Sequence, residues 1–259
     1  FGNFDLCMHS TLGKVERAIS QIQDNIIELN ILKRNKLGQI TKKEEIINGN
    51  SIVYEYEYDS LDRLIKVTKD NQVVEEYQYD KNSNRKTAKV YGKELNTNYT
   101  LDDQLIVYGD NSYRYDDDGY LVEKTTPQGT TTYSYNTLGA LQEVKLPDST
   151  TIKYILDPQN RRVAKEVNGT ITQKYLWQDL TTLLAVFDKD DNLVYRFEYA
   201  DDRMPIAMTD SNNNRYYLHY DQVGTLKAVS DTNQNIIKEI TYDSYGNILT
   251  DSNPNLNVP

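Results

Sequence analysis

The chain has few of the residues that usually mark chemistry. Its one cysteine, Cys7, cannot form an internal disulfide. The two histidines, His9 and His219, offer no metal-ligand spacing with it. No apolar run reaches the length of about 18 residues that a transmembrane helix needs. There is no phosphate-cradling glycine loop and no nucleophile elbow, so neither a catalytic residue nor a cofactor is expected. Lys and Arg number 29 against 39 Asp and Glu, a net charge of −10, whereas a nucleic-acid footprint needs clustered cations. With one Trp, four Phe and 38% hydrophobic residues, the composition is thin for a thick globular core.

Tyrosine is abundant, with 22 copies, and it recurs in a fixed unit. Tyr242-Asp243-Ser244-Tyr245-Gly246-Asn247-Ile248 gives the pattern: an aromatic, an acid, two spacers, a glycine, a spacer and an aliphatic residue. Tyr220-Asp221 with Gly224, Tyr135-Asn136 with Gly139, and Tyr115-Asp116 with Gly119 repeat it. Drifted copies begin at Tyr58-Asp59, Tyr79-Asp80, Tyr99 and Tyr199, each with another residue at the glycine position. Leu156-Asp157 and Trp177-Gln178 lose the tyrosine, and Arg34 to Gly38 and His9 to Gly13 keep only the turn. Roughly twelve copies at a period of about 16 to 25 residues mark a repeat array.

The flank before each turn alternates, as in Tyr54-Glu55-Tyr56-Glu57-Tyr58 and Tyr195-Arg196-Phe197-Glu198-Tyr199. A period of two is a strand with one apolar face. The Asp or Asn can accept from backbone amides two residues on, and the glycine supplies a positive φ. Asp62, Asp103 and Asn160 are substitutes that tolerate the left-handed region; Thr181 and Arg203 are not, so different turns are expected there. Second turn signals at Asp24-Asn25, Asn48-Gly49, Asp70-Asn71, Gln128-Gly129, Asn168-Gly169, Asp190-Asp191-Asn192 and Asn233-Gln234-Asn235 read as opposite hairpin tips. Each repeat is therefore predicted to be a two-stranded hairpin, and tyrosine, with a large ring and a polar tip, suits a thin wall of them.

Near the start, Val15, Ala18, Ile19, Ile22 and Ile26 also fall at helical spacing and admit an amphipathic helix. The turn signals at Leu12-Gly13 and Asp24-Asn25 favour strands instead. Other candidates are weaker than the repeat. Asp188, Asp190 and Asn192 open like a calcium loop, but Leu193 and Tyr199 stand where the glycine and the bidentate glutamate belong. Asp116-Asp117-Asp118 lies on a repeat turn, and His219 reads as a strand residue beside a repeat tyrosine.

The Tyr-Asp-x-x-Gly-x-Leu units resemble the YD repeats of the RHS (rearrangement hotspot) family, which includes polymorphic toxins, the C components of insecticidal toxin complexes and teneurins. Leu156 to Lys165, Trp177 to Asp188 and Tyr217 to Gly224 are similar to that family's longer segments. The resemblance covers essentially all of residues 1–259. It implies an all-β fold: an array of two-stranded YD-repeat hairpins forming a spiralling sheet, part of a hollow RHS-type shell and of a longer chain. It further implies a non-enzymatic, secreted or cell-surface scaffold that encloses or presents a C-terminal toxin or other cargo polypeptide of the same parent chain. The residues expected to carry this repeat are Tyr58, Asp59, Tyr79, Asp80, Tyr115, Asp116, Gly119, Tyr135, Gly139, Trp177, Tyr220, Asp221, Gly224, Tyr242, Asp243 and Gly246, with the tyrosines stacking between successive hairpins. A cell-surface module that binds carbohydrate or a receptor through exposed tyrosines is the alternative. A β-propeller enzyme fits less well, because no catalytic constellation accompanies the repeats.

Overall fold

The computed structural model describes residues 5–9, 15–22, 25–200 and 204–258. Across them the chain is all-β, with 24 strands. The first third contributes β1 (Asp5–His9), β2 (Val15–Ile22), β3 (Asn25–Arg34), β4 (Ile40–Ile47), β5 (Asn50–Tyr58), β6 (Leu64–Lys69), β7 (Gln72–Tyr79) and β8 (Arg85–Val90). The middle holds β9 (Lys93–Tyr99), β10 (Leu105–Tyr108), β11 (Asn111–Tyr115), β12 (Leu121–Thr126), β13 (Gly129–Tyr135), β14 (Leu141–Lys145), β15 (Thr151–Leu156) and β16 (Arg162–Val167). The last third adds β17 (Thr170–Trp177), β18 (Leu183–Phe187), β19 (Leu193–Tyr199), β20 (Pro205–Asp210), β21 (Arg215–Tyr220), β22 (Leu226–Ser230), β23 (Ile236–Tyr242) and β24 (Ile248–Asp251). Each strand pairs antiparallel with the next, so the chain is one continuous meander. The segment from Val15 that also admits a helix is extended, as β2 and β3.

The two sheet edges are closed by two kinds of turn. Along the first edge, which follows the repeat tyrosine, the turns are five-residue loops. Asp59 N–H donates to the Arg63 carbonyl, and Asp243 N–H to that of Asn247, both at 2.9 Å. Gly119, Gly139, Gly224 and Gly246 sit at φ of 79° to 89°, and Asp62, Ser83, Asp103 and Asn160 occupy the same left-handed region in other copies. The turn at Thr181 differs, as its sequence suggests: the acid moves one place to Asp179, which accepts from the Thr181 and Thr182 amides at 2.8 Å. Arg203 lies outside the described residues.

On the second edge, Asn48-Gly49, Asp70-Asn71, Tyr91-Gly92 and Asn168-Gly169 have positive φ at both residues, the two-residue hairpin turn whose twist matches the strands. The second edge changes at Leu146 to Thr150, already a five-residue loop, and again from β18 onward. Asp188 to Asn192, Asp210 to Asn214 and Asp231 to Asn235 form the same five-residue loop as the first edge, so the repeat turn closes both ends of the later hairpins.

Just before most repeat aromatics the register slips. Glu57 pairs with Lys66 but Tyr58 with Leu64, and equivalent shifts precede Tyr79, Tyr115, Tyr135, Trp177, Tyr199, Tyr220 and Tyr242. A β-bulge bends and twists its strand. A series at one edge bends the sheet repeatedly in one sense, and the strip coils.

The two faces differ in chemistry. On one, opposite charges stand directly across the ladder: Lys42 from Glu55, Glu57 from Lys66, Glu76 from Lys89 and Arg114 from Glu123. These exposed pairs favour register more than stability. The other face carries the tyrosines. Opposite its second aromatic position lie Val67, Ala88, Val144, Val186 and Met208, all buried. The main cluster, Val186, Phe197, Met208, Leu218 and Val229, lies on this face, and Leu256 and Val258 pack against it after β24.

Candidate functional site

The tyrosine face is built by two local devices. In the first, the carboxylate or amide oxygen after the tyrosine holds the turn. Asp59 Oδ1 accepts from the Leu61 and Arg63 amides at 2.9 and 3.0 Å, and Asp80, Asp116, Asn136, Asp221 and Asp243 do the same two and four residues on. The Arg63 guanidinium, and then these amides, hold the Asp59 carboxyl below its usual range.

In the second device the repeat aromatic is tied to the hairpin before it. Tyr58 donates its hydroxyl to the Ile40 carbonyl at 2.8 Å, Tyr79 to Leu64 at 2.6 Å, Tyr115 to Leu105 at 3.0 Å and Tyr135 to Leu121 at 2.9 Å. Trp177, where a repeat lacks tyrosine, donates Nε1–H to the Arg162 carbonyl at 2.8 Å. The aromatic thus supplies both ring burial and a donor, which is why tyrosine or tryptophan suits the position and phenylalanine does not. The ring of Tyr135 also stacks on Tyr120, 5.0 Å away. Tyr220 and Tyr242 occupy the same position at the ends of β21 and β23.

Because the strip coils, its last hairpins lie on its early ones. Lys227 of β22 reaches Glu45 of β4 at 3.1 Å, and Lys43 reaches the same carboxylate at 2.7 Å. Lys227 and Glu45 are buried. Burial pushes the Glu45 carboxyl up, but the two lysines outweigh it and hold it low. Burial likewise works against Lys43, and Glu45 more than reverses it. Beside this group the Ser244 amide donates to Glu75 at 3.2 Å, and the Tyr77 hydroxyl donates to the same carboxylate at 2.6 Å. Tyr245, a turn-tip residue, meets Tyr77 edge-on at 4.9 Å, lies under the Arg85 guanidinium at 4.0 Å and bonds the Tyr79 hydroxyl. Ile27, Ile47 and Ala228 form a small apolar cluster in the same interface. A cavity of about 330 Å³ remains between the layers.

None of these groups forms a catalytic constellation. Among the described residues no cluster of His, Cys, Asp and Glu could hold a metal. Asp188 is engaged in its own turn, accepting from the Asp190 and Asn192 amides at 2.9 Å. His219 is buried in β21, 2.9 Å from the Ser230 hydroxyl, and burial pushes its ring down to about 4. The side chains of Cys7 and His9 lie outside the described residues. Sequence reasoning missed the clasp of Glu45, Glu75, Lys227 and Tyr245, whose partners are remote along the chain.

The teneurin YD-shell family matches residues 8–259. The chain belongs to that family. As a YD-shell chain it is 28% identical over 254 residues to teneurin-3 of Danio rerio, covering 95% of this chain and 9% of that protein. It is 31% identical over 196 residues to the tRNA nuclease WapA of Bacillus subtilis, covering 73% of this chain and 8% of the nuclease. It thus spans less than a tenth of the length of these relatives. A structure of the Photorhabdus luminescens Tc holotoxin pore aligns with 97% of this chain and 17% of its own, at a TM-score of 0.43 and 16% identity. The YD-repeat, RHS-type character read from the sequence is therefore that of its family, and among the described residues no helix is long and apolar enough to cross a membrane.

Proposed function

We propose that this YD-shell chain is a length of wall: a non-enzymatic scaffold, part of a longer secreted or cell-surface protein, that encloses or presents a C-terminal polypeptide of the same parent chain. The observation that carries this reading is the clasp. A sheet whose last hairpins are fastened to its early ones by the buried Lys227–Glu45 pair bounds a space, as an open sheet with a solvated face does not. Support also comes from WapA, a relative named for its tRNA nuclease activity, of which the matched repeats are a small part. In such a protein the activity would belong to the enclosed segment and the repeats would hold it. The test is peptide mapping with limited proteolysis of the native polypeptide from its source. A C-terminal domain that resists protease until the wall is denatured is the expected result. A native chain with no further domain, or one whose C-terminal domain is cut as fast as the free domain, would sink the proposal.

A further inference from the structure

A few positions break the apolar rule of the tyrosine face. Across from the second aromatic the ladder places Val67, Ala88, Val144, Val186, Met208 or Val229, each at most 8% exposed. Across from Tyr154 it places Lys165. Lys124 opposite Tyr113, Lys43 opposite Ile31 and Asp251 opposite Ile240 are further exceptions, the last two ion-paired with Glu45 and Lys238. Of these only Lys165 lines a cavity of about 720 Å³.

That cavity is cationic in an acidic chain. Among the described residues Arg161, Arg162 and Lys165 line it, and no Asp or Glu does. Arg161 is engaged by Asp157 at 2.7 Å. Arg162 lies over the Tyr154 ring at 3.7 Å, and neither it nor Lys165 has an ion pair among the described residues. Gln173, directly across the ladder from Lys165, adds an amide to the lining, and Tyr175, Trp177 and Tyr199 add aromatic surface.

We propose that this cavity is a carboxylate-binding site, for a carboxylate carried on an apolar or aromatic body. A cation at a position that six other copies fill with buried apolar side chains costs packing, and an anionic ligand gives it the partner it lacks. The volume is that of a pocket for a small ligand or a few side chains. The surrounding net charge of −10 opposes long polyanions, so a single carboxylate suits the site better than a nucleic acid. The ligand has two sources, a free small acid or an acidic side chain of a polypeptide, and this inference stands apart from the enclosing role proposed above.

The chain's single tryptophan, Trp177, lines the cavity and reports on it directly. The 259-residue chain is titrated with 3-phenylpropionate, with its neutral amide, and with a capped acidic-aromatic tripeptide, reading tryptophan fluorescence. Saturable binding of the acid or the peptide, at least about tenfold tighter than the amide and weakened by salt, is expected. Binding by the acid alone assigns a small-molecule ligand, and binding by the peptide alone a polypeptide. Lys165→Val, the residue other copies use there, should preserve the circular dichroism spectrum and weaken binding about tenfold or more, while Lys165→Arg retains it. Equal response to acid and amide, no saturation by acid or peptide up to about 10 mM, or unchanged affinity in a folded Lys165→Val protein overturns the proposal.

Discussion

The hydroxyl of Tyr58 lies 2.8 Å from the carbonyl oxygen of Ile40, one hairpin earlier in the chain. The bond joins units that the β-ladder already joins, and it does so from the side chain that names the repeat. Its net worth is about 0.5–1.5 kcal/mol, the usual value for an intramolecular hydrogen bond. Tyr58→Phe keeps the ring and removes the donor. Urea denaturation should show a loss of about 1 kcal/mol with an unchanged m-value; no loss would mean that the hydroxyl is equally well served by water.

The clasp should behave as a buried ion pair. Glu45→Ala leaves Lys43 and Lys227 without their shared carboxylate, and removing one partner of such a group costs about 3–5 kcal/mol. The double variant Glu45→Leu with Lys227→Met removes one lysine together with the carboxylate but leaves Lys43 without it, so it should recover only part of that loss. A double-mutant cycle by chemical denaturation measures both, and additive losses would show that the two residues do not communicate.

Two turn glycines with similar backbones should respond differently to alanine. Gly246 has φ of 83° and open space where a Cβ would go, so Gly246→Ala meets only the backbone penalty of about 1 kcal/mol. Gly139 has φ of 79°, and its Cβ would collide with the Tyr120 hydroxyl. Tyr120 must then leave its stack on Tyr135, so Gly139→Ala should lower Tm further than Gly246→Ala. Equal shifts would argue that Tyr120 moves freely.

His219 gives the fold a specific acid sensitivity. Its ring titrates near 4 when folded, because burial disfavours the charged form, against an ordinary 6.5. Above 6.5 the ring is neutral in both states. As pH falls from 6.5 toward 4 the unfolded chain takes up a proton that the folded chain refuses, and stability drops by on the order of 3 kcal/mol across that window. Below about 4 both states are protonated and this loss is complete. His219→Gln should flatten the stability profile between pH 6.5 and 4 relative to the parent. An identical slope in the variant would place the sensitivity elsewhere.

Much of the wall was legible because its signals are local. The pairing of Asp243 with Gly246, or of Asp59 with Asp62, is a turn written in five residues, and the alternation before Tyr58 and Tyr199 is a strand written in as many. The second-edge loops at Asp210 and Asp231 were harder to see as the same turn, because Asn213 and Gln234 stand where glycine is the readable signal. The bulges before the repeat aromatics were not legible, since a one-residue slip shows only against the partner strand. Nor was the clasp: Ser244 and Glu75 are 169 positions apart, and no local pattern marks either as a partner. Lys165 looks like any strand lysine until the ladder shows which position it takes.

A row of hairpins in which each touches only its neighbours would melt from its ends, one unit at a time. The contact of Lys227 with Glu45 joins hairpins near one end to hairpins near the other. The row thereby becomes a loop with fewer free ends to fray, and damage to its last hairpins is felt in its early ones. Hydrogen exchange should reveal this as shared protection: amides of β4 and β7 should lose theirs when β22 to β24 are destabilised, although the ladder connects them only through more than a dozen intervening strands.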